Sequence, residues 1–161
     1  MKNKQYVFAK LIKMDLNSMY DGNQATMQAL DNNLLSIVNT EAPITMNLVK
    51  ARLREAFGIG KISQKALDVI EEHIKKLGFK QTDNFYDKVL WPKEGVFEID
   101  YLRSGYERQI YDVPYQEMNN LVKELNLSGE DLYRKILAYF GFEVLTKKAE
   151  DYLKFIEKMC K

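Results

Sequence analysis

Apolar residues between Ala25 and Val38 fall at Met27, Leu30, Leu34, Leu35 and Val38. These helical spacings predict a helix with one buried stripe. Its end is expected near Thr40-Glu41-Ala42-Pro43, because proline disfavours helical geometry in the residue before it. Thr45 is placed to cap a second helix carrying Leu48, Val49, Leu53, Ala56 and Phe57. Gly58 can take the left-handed conformation that closes it. After the short loop Gly58-Ile59-Gly60-Lys61-Ile62, Ser63 caps a third helix with Ala66, Ile70, Ile74 and Leu77 on its buried face.

Beyond Gly78 the periodicity changes. Phe79, Phe85, Tyr86, Val89, Leu90 and Trp91 surround the turn-forming Thr82-Asp83-Asn84 and predict a β-hairpin closed by Trp91-Pro92. Val96 to Tyr101 alternates as a further strand. At the N-terminus, Tyr6-Val7-Phe8 and Leu11-Ile12 predict a short strand or an extended arm before a turn at Asp21-Gly22-Asn23.

The helical pattern then recurs. A helix from about Pro114 to Leu125 is followed by Ser128 and Asp131, spaced as a capping box before Leu132, Ile136, Leu137 and Phe140. Gly141 interrupts, and Thr146 caps a last helix bearing Ala149, Leu153, Ile156 and Cys160. Setting Phe57-Gly58 on Phe140-Gly141 without gaps pairs Ser63 with Thr146, Lys65 with Lys148, Ala66 with Ala149, Asp68 with Asp151 and Lys75 with Lys158. That register is the mark of an internal repeat. The expected fold is mainly α with a small β component, built from tandem winged-helix/helix-turn-helix units. Residues 1–24 form an N-terminal arm, 25–111 a winged helix-turn-helix unit with its hairpin, and 112–161 a second helix-turn-helix unit packed on the first.

Composition supports a folded chain: 46% of 161 residues are hydrophobic and 12% aromatic, more than disordered segments carry. No window approaches the roughly 18 apolar residues of a membrane span, and a cytoplasmic protein is expected. Cys160 is the single cysteine, so an internal disulfide and a cysteine-rich zinc site are both ruled out. The net charge of +1 is less informative than its distribution. From Met46 to Lys80 eight bases face four acids, a balance of +4, whereas from Gln81 to Asn126 five bases face nine acids, a balance of −4. A functional basic patch and an ordinary solvated face both fit the first segment.

Several short runs resemble a known family. Glu41-Ala42-Pro43-Ile44, Ala56-Phe57-Gly58-Ile59, Val89-Leu90-Trp91-Pro92, Asp112-Val113-Pro114 with Glu117, and Phe140-Gly141-Phe142 are similar, in order and spacing from about Tyr20 onward, to the C-terminal domain of unknown function of large superfamily 1 DNA helicase-related proteins. In those proteins it commonly follows an ATPase core and a very-short-patch-repair-like endonuclease domain. The family usually has tryptophan where Phe57 stands and a basic turn after the glycine. Lys61 and Lys65 keep that basic character in the first unit, while in the second Val144 loses one such position and Lys148 keeps the other. The helicase and nuclease motifs of such proteins are absent, so the resemblance implies an accessory domain without those activities.

The residues offer no catalytic constellation. No glycine-rich loop ends in Gly-Lys-Ser/Thr. His73, the single histidine, lies beside Ile74 and is expected to be a packing or boundary residue rather than a base or metal ligand. Neighbouring carboxylates such as Glu71-Glu72 and Glu130-Asp131 diverge around their helices. Trp91, Tyr86, Tyr101, Tyr106 and Tyr111 suit a core better than base stacking. The expected site is the start of the third helix, Lys61, Ser63, Gln64 and Lys65, with Lys88 as a wing contact. There a helix N-terminus and cations can meet phosphate, and glutamine can read adenine. Asp68, Glu71 and Glu72 restrict the approach to that helix start. A purely structural role, Ser63 as cap and the lysines as surface, remains the alternative. The chain is thus expected to be non-enzymatic, without cofactor or metal, binding double-stranded DNA or other domains of a helicase-like protein. The rival expectation is a protein-interaction module for docking or oligomerisation.

Overall fold

The computed structural model describes residues Met1–Cys160, a mixed α/β chain in which helix predominates. In order it contains β1 (Lys2–Gln5), α1 (Leu16–Tyr20), α2 (Gln24–Glu41), β2 (Ile44–Thr45), α3 (Met46–Phe57), α4 (Gln64–Leu77), β3 (Lys80–Asp83), β4 (Lys88–Trp91), β5 (Tyr101–Ser104), α5 (Tyr115–Leu125), α6 (Gly129–Tyr139) and α7 (Lys147–Met159). Among the described residues no helix is long and apolar enough to cross a membrane. Two compact units emerge, one of Val7–Thr82 with Val89–Val96, the other of Met1–Tyr6, Asp83–Lys88 and the chain from Phe97 onward.

In the first unit, the helix starts follow from their caps. The Thr45 side chain accepts the Leu48 N–H, and Ser63 accepts that of Ala66. Gly58 closes α3 at φ 67° and Gly78 closes α4 at φ 73°, conformations that a side chain would disfavour. Helix α2 packs on α3 and α4, burying Leu30, Leu34, Ile37, Val38, Leu53 and Ile70 completely. Each such side chain contributes about 1.5–3 kcal/mol. The sheet has the order β2-β4-β3, with Ile44 opposite Leu90 and Thr45 opposite Val89 in antiparallel register. Trp91 is fully buried, its indole N–H donating to Thr82 Oγ1 at 2.8 Å.

Residues 9–14 run as an extended arm held by buried polar side chains. Asn33 Oδ1 accepts the Ile12 N–H at 2.8 Å, and its Nδ2 donates to the Ile12 carbonyl at 2.9 Å. Glu41 accepts the Ala9 N–H at 3.1 Å, and Arg52 donates to the Ala9 carbonyl at 2.9 Å while pairing with Glu41 at 3.0 Å. Arg52 also meets Glu55. Arg52 is therefore buried and paired, and does not add to the surface charge of its segment.

The second unit has its own core, formed by Leu102, Ile110, Val113, Met118, Leu121, Leu132, Ile136, Leu137, Tyr152, Leu153 and Ile156. Here the structure corrects the strand expected over Val96–Tyr101. Val96 and Phe97 are exposed, and the strand is β5, which begins at Tyr101 and pairs in parallel with β1, Lys2 opposite Tyr101 and Gln5 opposite Ser104. The backbone of Tyr101 and Arg103 turns to side chains of α5 instead of a third strand, Asn120 donating to Tyr101 and Glu117 accepting from Arg103. The N-terminal strand lies at Lys2–Gln5 rather than at Tyr6–Phe8. The capping box at Ser128 and Asp131 does not form: Ser128 makes no side-chain cap, and Glu157 of α7 accepts the Gly129 N–H at 3.0 Å.

Helix pairs α3–α4 and α6–α7 use the same parts. Gly141, at φ 83°, stands one residue beyond the end of α6, and Gly58, at φ 67°, directly after α3. The next amide reaches back in each case, Ile59 to the Arg54 carbonyl and Phe142 to that of Leu137. Thr146 then caps α7 through the Ala149 N–H, as Ser63 caps α4.

Candidate nucleic-acid interface

The left-handed glycine after α3 turns the chain sharply, and the Ser63 cap restarts it as a helix, so Lys61, Ser63, Gln64 and Lys65 come together on one exposed turn. The first amides of α4 carry the positive end of its dipole, and no acidic residue occupies its first turn to offset that field.

Each side chain at this turn has a defined place. Lys61 is exposed. The Ser63 hydroxyl caps the helix and lies 3.2 Å from the Tyr20 hydroxyl. Gln64 donates from Nε2 to Asp68 at 2.7 Å, so reading a base edge would require it to release that carboxylate. The Lys65 ammonium sits 4.1 Å from the centroid of the Tyr20 ring, an arrangement that holds a cation over an aromatic face for about 0.5–1 kcal/mol at an exposed site. Sequence reasoning missed Tyr20. Its partners are remote in the chain, and the short helix α1 that presents it lacks a long apolar stripe. The preceding arm is fixed beside the end of α3, where the Met14 N–H donates to the Ala56 carbonyl at 2.9 Å, with Lys13 next to it in the chain.

Lys88 does not join this group. It belongs to the second unit, where its ammonium lies 3.5 Å from Asp83. The hairpin tip beyond it is engaged too: Asn84 is buried, donating to the Tyr111 carbonyl at 2.9 Å and accepting from the Tyr152 hydroxyl at 3.3 Å. Further along α4, His73 lies 2.6 Å from Asp31 of α2, and Lys76 pairs with the same carboxylate at 2.9 Å. Burial would raise the Asp31 pKa, but the Lys76 and His73 bonds hold it below the usual aspartate value.

The equivalent turn of the second unit repeats the motif. The Lys148 ammonium is 4.4 Å from the Tyr111 ring centroid and 5.3 Å from that of Tyr86, whose hydroxyl donates to the Lys148 carbonyl. Here Glu150 stands in the first turn of α7, so its helix start is less positive than that of α4.

Comparison with known proteins finds no family model, no curated protein and no solved structure that matches this chain.

Proposed function

We propose that this chain is a non-catalytic DNA-binding or DNA-positioning module whose contact surface is the exposed start of α4. The observation that carries the assignment is the convergence of Lys61, Lys65, Ser63 and Gln64 on one solvent-facing helix N-terminus, with Tyr20 steadying Lys65. Such a terminus offers backbone N–H groups and cations to phosphate oxygens. The order helix, strand, helix, helix, strand, strand from α2 to β4, with sheet order β2-β4-β3, supports a winged helix-turn-helix unit with α4 as its recognition helix. Asp68, Glu71 and Glu72, all exposed on α4, limit the approach to the helix start and favour phosphate contacts over deep base reading. The resemblance of the sequence to the terminal domain of helicase-related proteins would make the module an accessory to such an enzyme. Anisotropy titration of labelled duplex DNA at low salt tests the proposal. Saturable binding weakened by charge removal at Lys61 and Lys65 is expected, and no binding at low salt would refute it.

A second assignment, a protein-docking module, is favoured by the outer face of α6. Two open depressions of about 450 and 400 Å³ share Arg134 and Ala138 there, the second bordered by the exposed Leu127 that precedes the helix. Light scattering at increasing protein concentration distinguishes self-association through this face from a monomer that binds only DNA.

A further inference from the structure

The tip of the β3–β4 hairpin belongs to the α5–α7 unit and holds two aromatic rings in the open, Phe85 and Tyr86, each 46% exposed. Phe85 has φ 65°, a left-handed conformation that is unfavourable for any residue with a Cβ and rare for a bulky one. The surrounding structure enforces it. Asn84 is anchored by Tyr111 and Tyr152, its N–H donates to the Asp87 carbonyl at 3.0 Å, and the Tyr86 N–H returns to the Asn84 carbonyl at 2.8 Å. The Phe85 ring lies nearly parallel to Phe155, centroids 5.4 Å apart and planes at 18°, while Tyr86 lies nearly parallel to Tyr152 at 6.2 Å. A ring that served only to fill the core would be buried, and glycine would meet the turn's backbone demand without strain, as asparagine would with little.

Charge around the tip points to the ligand. Lys148 stands over Tyr86 and Tyr111, and Lys147 is 78% exposed at the start of α7. Two carboxylates beside the tip are paired with lysines, Asp151 with Lys147 at 2.9 Å and Asp83 with Lys88 at 3.5 Å. Partly exposed aromatic rings flanked by cations are the features that bind unpaired bases and their backbone. We propose that Phe85 and Tyr86 form a stacking platform for single-stranded nucleic acid, with Lys147 and Lys148 meeting its phosphates. The platform uses residues separate from the α4 surface and stands whether or not that surface binds duplex.

The test titrates fluorescein-labelled oligo(dT), an abasic oligonucleotide of equal length, and a duplex against wild type, Phe85→Gly and Tyr86→Leu at low salt. Oligo(dT) should bind wild type more tightly than the abasic strand. Each variant should weaken oligo(dT) binding on the order of 10-fold while duplex binding is unchanged. Phe85→Gly relieves the backbone but gives up the stack on Phe155, and Tyr86→Leu keeps apolar cover over Tyr152 if the glycine variant misfolds. Equal binding of abasic and natural strands, or unchanged affinity in both variants, would each overturn the platform. So would capture of a protein by wild type alone with no oligonucleotide binding. Failure of duplex binding with oligo(dT) binding intact would instead remove only the α4 assignment.

Discussion

Arg108 holds Glu117 with both ends of its guanidinium, Nη1 2.8 Å from Oε2 and Nη2 2.6 Å from Oε1, and both side chains are shut away from solvent. Arg103 adds a second guanidinium at 3.0 Å and its own backbone N–H at 2.7 Å, and Tyr6 lies against both arginines. The cluster thereby ties α5 to β5 and to the residue that follows β1.

Removing the central charge leaves two guanidiniums buried against a neutral partner. Glu117→Gln should therefore lose about 3–5 kcal/mol of stability, the range for breaking a buried ion pair from one side. The shift of the urea midpoint measures it, and a loss below about 1 kcal/mol would show that the cluster is more hydrated than its geometry implies.

The same carboxylate sets an acid limit. Burial alone would raise the Glu117 pKa, but Arg108 and Arg103 hold it below the ordinary glutamate value of 4.5. A folded pKa below the unfolded one means the stabilisation is complete above 4.5 and is lost as pH falls through the lower folded value. Asp31 is shifted in the same direction. Urea midpoints should be flat above pH of about 5 and fall below it, with a shallower acid limb in Glu117→Gln. An acid limb of equal steepness in that variant would place the sensitivity elsewhere.

Gly58 and Gly141 make the equivalent turns of the two helix pairs, at φ 67° and 83°, and a Cβ at either would meet nothing within 4 Å. Alanine there should cost backbone strain alone, about 1–2 kcal/mol at each position and similar in both. Thermal melts of the two single variants check this. A much larger loss at one site would mean that its turn carries a contact the other lacks.

The helix starts and stops were legible because they are local. Thr45, Ser63 and Thr146 each cap through an amide three residues on, and glycine follows α3, α4 and α6. Alternation misplaces β5 because it reports which side chains share a face, not which backbone finds a partner. Val96 to Asp100 alternates well yet meets no strand, whereas Tyr101–Ser104 meets β1 from the other end of the chain. Ser128 makes no side-chain cap, and the first amide of α6, that of Gly129, goes to remote Glu157. Charged residues in the core were also invisible: Arg52, Arg103, Arg108 and Glu117 read as surface by type, and only the fold brings them to their partners. At the α4 start, Lys61, Ser63, Gln64 and Lys65 were legible as a group, while Tyr20 was not.

Whether the start of α4 meets phosphate is decided by the salt dependence of duplex DNA binding, measured in parallel for wild type and Lys61→Ala/Lys65→Ala. If both ammonium groups meet phosphate at the start of α4, the logarithm of the association constant falls linearly with that of salt concentration. The double variant then binds more weakly whatever the duplex sequence, with a slope smaller by about 2. Wild type that binds no duplex at low salt, or a double variant with unchanged affinity and slope, would contradict phosphate contact at this helix start.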